Sequence, residues 1–341
     1  MTTETAFHEA HLTSTPIRNL GLTIAGTWLE GILTDFEKEL HHMGIRRLRP
    51  RFYLTTEWGV PFDTIVIGIP WYLARPELTA LHEHYTGYVE GVSREDILRY
   101  LRHEMGHVVN YGYQLYEQAE WVRHFGPIDK DYEEEFYPQP WSRQYVWHLP
   151  GWYAQKHPDE DWAETFAVWL TPGRDWRADY ADWPVALAKL IYCDRTLAEL
   201  KDRDPLVTAT ELDEDVGELT HSLEQFYGGS GAGEAELPRG LDGALRAVFE
   251  DLGRPEEGAS GERRPAAGLI RRLELELLAD VYRWTGHFPE RTRVLLRHLA
   301  ERADELRLGY PADREVRAAV ALTTLVTTLA MNHVHGRHYF A

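Results

Sequence analysis

Residues 102–107 read Arg-His-Glu-Met-Gly-His, and within them the pattern His103-Glu104-x-x-His107 constrains this chain more than any other stretch. On an α-helix, residues four apart share a face. Two such histidines can hold one metal ion, and the glutamate between them can act on water at that ion. A chain with 17 histidines and 55 acidic residues can meet a five-residue pattern by chance, so the surroundings must carry the reading.

The surroundings favour it. Ser93-Arg94-Glu95-Asp96 has the form of a capping box and predicts a helix start. From there Ile97, Leu98, Leu101, Met105, Val108 and Val109 form one apolar stripe at helical spacing. His103 and His107 fall outside the stripe, with Asp96, Tyr100 and Tyr111. They are not core filler by pattern; their face meets solvent or lines a cleft.

A catalytic zinc takes three protein ligands and keeps one position open for water. The third ligand is expected on the stretch His157 to Ala167. Pro158 suits the first helical position, and Trp162, Thr165, Phe166 and Trp169 make the apolar face. Glu160 and Glu164 lie one turn apart on another face, beside Ala163 and Ala167, whose small size permits close approach of a second helix. Glu160 is the expected ligand. Glu164 would accept the N–H of a ligating histidine and fix its tautomer. Asp161 and Glu164 stay open as alternative ligands, since acids in a first helical turn also simply favour its positive end.

The pair of segments His-Glu-Met-Gly-His and Glu160-Asp-Trp-Ala-Glu-Thr-Phe-Ala167 resembles the gluzincin zinc metallopeptidases. Among them, it is similar to the uncharacterised bacterial zinc-binding metallopeptidases and to the catalytic domain of the anthrax lethal factor type. The resemblance spans roughly residues 60 to 195. It implies Glu160 as third ligand, Glu164 as its support, and Tyr153, seven residues before the ligand, as a stabiliser of the transition state. The toxin family has an aromatic residue where this chain has Asp161, which leaves Glu160 and Asp161 both in play. In that family an edge strand before the metal helix pairs with an extended peptide, and the β-branched run Thr64 to Ile69 stands in that place.

The chemistry expected is hydrolysis of peptide bonds with a Zn2+ cofactor. Glu104 would be the general base, and Tyr153, or less directly His148, would donate to the developing oxyanion. Two rival readings remain: a non-catalytic zinc-binding scaffold, and a zinc hydrolase acting on a non-peptide amide or ester. Retention of Glu104 speaks against the scaffold, because a structural zinc site needs no base.

The rest of the chain sets the frame. A helix is predicted from Thr27 to Met43, then strands at Arg51 to Glu57 and Thr64 to Ile69. Eight of the twelve tryptophans lie between Trp121 and Trp183 and are expected to fill a core in a loop-rich region. A further helix runs from Trp183 to Asp202. Beyond Pro205, helical patterns cover Glu211–Phe226, Leu241–Leu252, Ala267–Trp284, Pro289–Leu308 and Asp313–Asn332, separated by linker-like stretches at Gly228–Glu236 and Gly253–Arg263. The first twenty residues are expected to be loosely held, and the late histidines 333, 335 and 338 to carry no real site.

The fold expected is α+β: a zincin-like metallopeptidase domain over residues 1–204, with a small mixed sheet packed on helices, then an all-helical C-terminal domain over 205–341. A net charge of −19 argues against a nucleic-acid partner. The opening residues lack a basic stretch followed by an apolar run, and Ala318 to Met331 is too short to span a bilayer, so a cytoplasmic protein acting on a peptide or protein is expected. The oligomeric state is not legible.

Overall fold

A computed structural model describes residues 12–86, 88–132, 136, 138–139, 142–228, 241–252, 262–336 and 339. The chain divides into two compact units, Met1–Tyr85 with Val89–Ser230, and Thr86–Tyr88 with Gly231–Ala341. Each has its own apolar core. Among the described residues, no helix is long and apolar enough to cross a membrane.

After a short helical turn at Ile17–Leu20, the first unit continues with α1 (Trp28–His42), which buries Leu29, Ile32, Leu33, Phe36 and Leu40, the face its spacing predicts. Strands β1 (Arg51–Thr55) and β2 (Val66–Pro70) pair in parallel, with Arg51 opposite Val66 and Thr55 opposite Pro70. Every residue of β2 is buried, as a β-branched run between two layers should be. The connection between the strands turns back on β2, where the Gly68 N–H donates to the Gly59 carbonyl at 2.8 Å. At Gly68 the second strand is therefore flanked on both sides, and the free edge expected of Thr64–Ile69 is not available there.

Helix α2 (Pro76–Thr86) is followed by α3 (Arg94–Gly112), α4 (Ala119–Phe125), α5 (Pro158–Leu170), α6 (Trp176–Asp179) and α7 (Pro184–Leu200). The capping expectation for α3 holds: the Ser93 hydroxyl accepts the Asp96 N–H at 3.2 Å. Helix α5 starts with Pro158 and is buried along its whole length. The tryptophans of this region serve as expected, with Trp121, Trp152, Trp162, Trp169 and Trp176 all in the interior.

Three expectations need correction. The segment Glu211–Phe226 is not a helix; only α8 (Leu223–Gly228) is. Extended chain supplies backbone bonds instead. Leu206 and Val207 donate to the Gly112 carbonyl at 2.7 and 3.1 Å, Ala209 accepts from Ile65 at 2.9 Å, and Val216 donates to Leu54 at 2.9 Å. These bonds satisfy the end of α3, the residue before β2 and Leu54 of β1, partners far away in sequence that local spacing cannot reveal. The unit thus runs past residue 205. Second, residues 12–20 are held: Ile17 is fully buried, and its N–H donates to the His221 carbonyl at 3.0 Å. Residues 1–11 lie outside the described part, as do most of the two linker-like stretches and His338.

The third correction concerns the second unit, which is not all helix. It contains α9 (Asp242–Val248), β3 (Glu250–Asp251), β4 (Arg263–Pro265), α10 (Ala266–Arg272), α11 (Glu274–Thr285), α12 (Pro289–Glu305), β5 (Leu308–Pro311) and α13 (Glu315–Gly336). The strands form an antiparallel sheet in the order β3-β5-β4. They are two to four residues long and hold Pro and Gly, so they carry no readable alternation.

Candidate metal centre

Two helices build the centre. Gly106 of α3 lies directly against Ala163 of α5, and the Trp162 indole N–H donates to the Gly106 carbonyl at 2.8 Å. The small residues beside the carboxylates permit the approach that their sequence suggested. The face of α3 bearing His103 and His107 meets α5, so both histidines are buried.

Three side-chain atoms converge. His103 Nε2 is 3.0 Å from Glu160 Oε2, His107 Nε2 is 3.4 Å from the same oxygen, and the two Nε2 atoms are 3.2 Å apart. A tetrahedral zinc with ligand bonds of about 2.0–2.1 Å sets its ligand atoms about 3.3 Å apart, which is the spacing found. The other side of each histidine is fixed by an acid. His103 Nδ1 donates to Glu164 Oε1 at 2.9 Å, and His107 Nδ1 donates to Asp159 Oδ2 at 2.9 Å. In the neutral form that tautomer leaves both Nε2 lone pairs facing Glu160.

These acids are themselves held. The other oxygen of Glu164 accepts the backbone N–H groups of His148 and Leu149 at 3.1 and 2.9 Å. Asp159 accepts from the Asn110 amide at 2.7 Å and from the Tyr111 hydroxyl. Tyr132 donates to the free oxygen of Glu160 at 3.0 Å, and its hydroxyl lies 3.3 Å from that of Tyr153.

The electrostatics follow from crowding charges away from water. For His103, burial opposes the charged form, but hydrogen bonds to Glu160 and Glu164 outweigh it and raise the imidazole to about 9. For His107, burial again opposes, and the charge of Asp159 leads the groups that win, so it too is raised. Burial works against ionised Glu160, yet His107 and His103 hold it well below the usual carboxylate range. Burial lifts Glu104 upward. Four carboxylates, Glu104, Asp159, Glu160 and Glu164, thus surround two imidazoles. That excess of negative charge and the convergent lone pairs are what a divalent cation requires, and the donor set of two imidazoles and one carboxylate suits zinc.

The remaining expected site residues fall as follows. Glu104 is buried on α3, and its carboxylate makes no hydrogen bond or ion pair among the described residues. Tyr153 is half-buried, its ring 5.6 Å from that of His103; burial first, and then Glu160, hold its phenol well above the ordinary value. Tyr153 follows Gly151 and Trp152, both in left-handed backbone (φ 80° and 60°), an arrangement unusual for tryptophan. His148 bonds the Arg99 carbonyl through Nε2 at 2.9 Å, and burial lowers it to about 4. Asp161 turns the other way, to Lys189 Nζ at 2.5 Å; burial raises it to about 7 against the pull of that lysine. Asp161 is not among the convergent atoms. Asp159 and Tyr132 join the centre without a sequence signal. Asp159 reads as an ordinary first-turn acid, and Tyr132 lies in a stretch without periodicity, so neither had a local signal.

No curated protein and no solved structure matches the chain. Residues 91–188, which run from the turn before α3 into α7 and contain His103, His107 and Glu160 with the acids bonded to the two histidines, match the family described as "Putative zinc-binding metallo-peptidase".

Proposed function

We propose that this chain is a zinc-dependent metallopeptidase acting on a peptide or protein. The observation that carries this is the convergence of His103 Nε2, His107 Nε2 and Glu160 Oε2, with the Glu104 carboxylate near enough to feel the charges of all three. In this reading His103, His107 and Glu160 hold the ion. When bound, zinc polarises a carbonyl and acidifies water.

The chain's own groups do the rest. Glu104 takes a proton at its carboxylate and later releases it to the leaving amine, and its raised affinity for a proton, caused by burial, suits a base working near neutrality. Glu164 and Asp159 keep both histidines in the ligating tautomer. The Tyr153 hydroxyl, kept protonated by its surroundings, donates a hydrogen bond to developing negative charge. Tyr132 orients Glu160 from the side facing away from the histidines.

The test is Glu104→Gln. The variant should bind zinc as the parent does and lose cleavage of a casein or mixed-peptide substrate by about a hundredfold or more. Cleavage at the parent rate with zinc retained would sink the mechanism.

A further inference from the structure

From Leu40 to Thr56 the sequence holds four arginines, two histidines and no acidic residue, in a chain where acids outnumber lysine and arginine 55 to 36. The run spans the end of α1 and the approach to β1. It lines an open groove of about 590 Å³. Leu40 and Leu48 are buried and Ile45 half-buried at its base, while Lys38, Arg46 and Arg49 are exposed around it; Glu37 is the one acid in the lining.

The basic residues are not explained by the fold. Lys38 is paired with Asp35 at 2.8 Å, and Arg47 reaches Asp204 at 3.4 Å. Histidines 41 and 42 complement the carbonyl end of α1, but that effect fades beyond the last turn, and the helix is capped at Met43. The side chains of Arg46, Arg49 and Arg51 make no hydrogen bond or ion pair among the described residues, so the fold draws no pairing from their charges. A strongly acidic protein thus presents one cationic, apolar-based groove on its own helix, sharing no residue with the metal centre.

Charge attracts any anion, and the base of the groove narrows the choice. No phenylalanine, tyrosine or tryptophan lines it, so it lacks the broad stacking surface that single-stranded nucleic acids use. Its apolar residues are recessed, whereas docking on a lipid surface needs them to protrude. A recessed apolar base within an arginine rim fits an acidic peptide, with one apolar side chain seated over Leu40, Ile45 and Leu48 and carboxylates bidentate on Arg46 and Arg49. We propose that this groove docks an acidic segment of a partner protein, anchored by one apolar residue.

The experiment measures binding to the full chain by fluorescence anisotropy. The probe is a short labelled peptide of Asp and Glu around a central Leu-Phe pair. Binding should weaken with salt, fall at least about tenfold when Leu-Phe becomes Ser-Ser, and fall at least about tenfold in Arg46→Glu/Arg49→Glu, with the circular dichroism spectrum unchanged. The milder Arg49→Gln should fall between. Absence of peptide binding, equal binding by the charge-reversed variant, or equal binding of the Ser-Ser peptide would overturn the proposal. So would tighter binding of oligothymidylate or of phosphatidylserine vesicles than of the peptide.

Discussion

Gly106 and Ala163 meet so closely that a Cβ on Gly106 would lie 2.6 Å from the Ala163 Cα, with the Ala163 backbone oxygen at 3.1 Å. Neither neighbour is a flexible side-chain tip, so the helices themselves must move apart to admit it. Gly106→Ala should therefore cost about 1–3 kcal/mol of stability and spread His103 and His107 away from Glu160. Thermal unfolding and zinc stoichiometry measured on one preparation will show both losses. A variant that is as stable as the parent and fully zinc-loaded would mean the helices have slack.

Asp159 fixes the ring of His107 without reaching the convergent oxygen atom of Glu160. Asp159→Asn should lower zinc affinity about 10–100-fold while leaving the overall fold intact. Glu160→Gln, which removes the charge of the proposed ligand, should weaken binding further. Competition with a fluorescent chelator ranks the variants, and equal affinities for Asp159→Asn and the parent would remove Asp159 from the centre.

Lys189 and Asp161 form an ion pair in which both side chains are nearly inaccessible, 5% and 4% exposed. Removing one partner leaves the other charge buried and alone. Lys189→Met should destabilise by about 3–5 kcal/mol, and Lys189→Met/Asp161→Leu should recover most of that loss. Denaturant titrations of the parent, Lys189→Met, Asp161→Leu and the double variant test it. Additive losses in the double variant would show that the pair is not coupled.

In the second unit, His287 is buried between the Thr292 hydroxyl at 2.7 Å and the Tyr339 hydroxyl at 2.9 Å. Burial first, and then His333, lower it from 6.5 to about 3. The neutral form is the one that the folded state accepts. Its contribution is complete above pH 6.5 and drains away as pH falls towards 3, by up to about 1.4 kcal/mol for each pH unit. Hydrogen exchange in α12 should accelerate over that range in the parent and less steeply in His287→Asn. Parallel pH curves for the two proteins would exclude His287 as the cause.

What the sequence reveals and what it hides divide along the range of the interactions. The helix of His103 and His107 announces itself through Ser93 and an apolar stripe, and α5 through Pro158 and its alanines, because capping and periodicity are local. Glu160 and Glu164 could be singled out because one turn separates them. The parallel register of β1 and β2, the docking of residues 206–216 on Gly112, Ile65 and Leu54, and the turn of Asp161 towards Lys189 are long-range choices, decided by which backbone or charge is left unsatisfied. Asp159 is the instructive case. Its position one residue before Glu160 turns it to the neighbouring face of the helix, and only the placement of α3 shows that His107 waits there.

The bonds from Ile17 to His221 and from Arg18 to Leu219 fasten the start of the first unit to its end. Synthesis from the N-terminus exposes Ile17 long before its partners exist. The residues of α1 and both strands must wait beside an unfinished seam until the ribosome has released the stretch past residue 222. Completion of this unit is therefore a late event with a large loop to close, and the metal helices, whose contacts span a third of that distance, can assemble before the ends are joined.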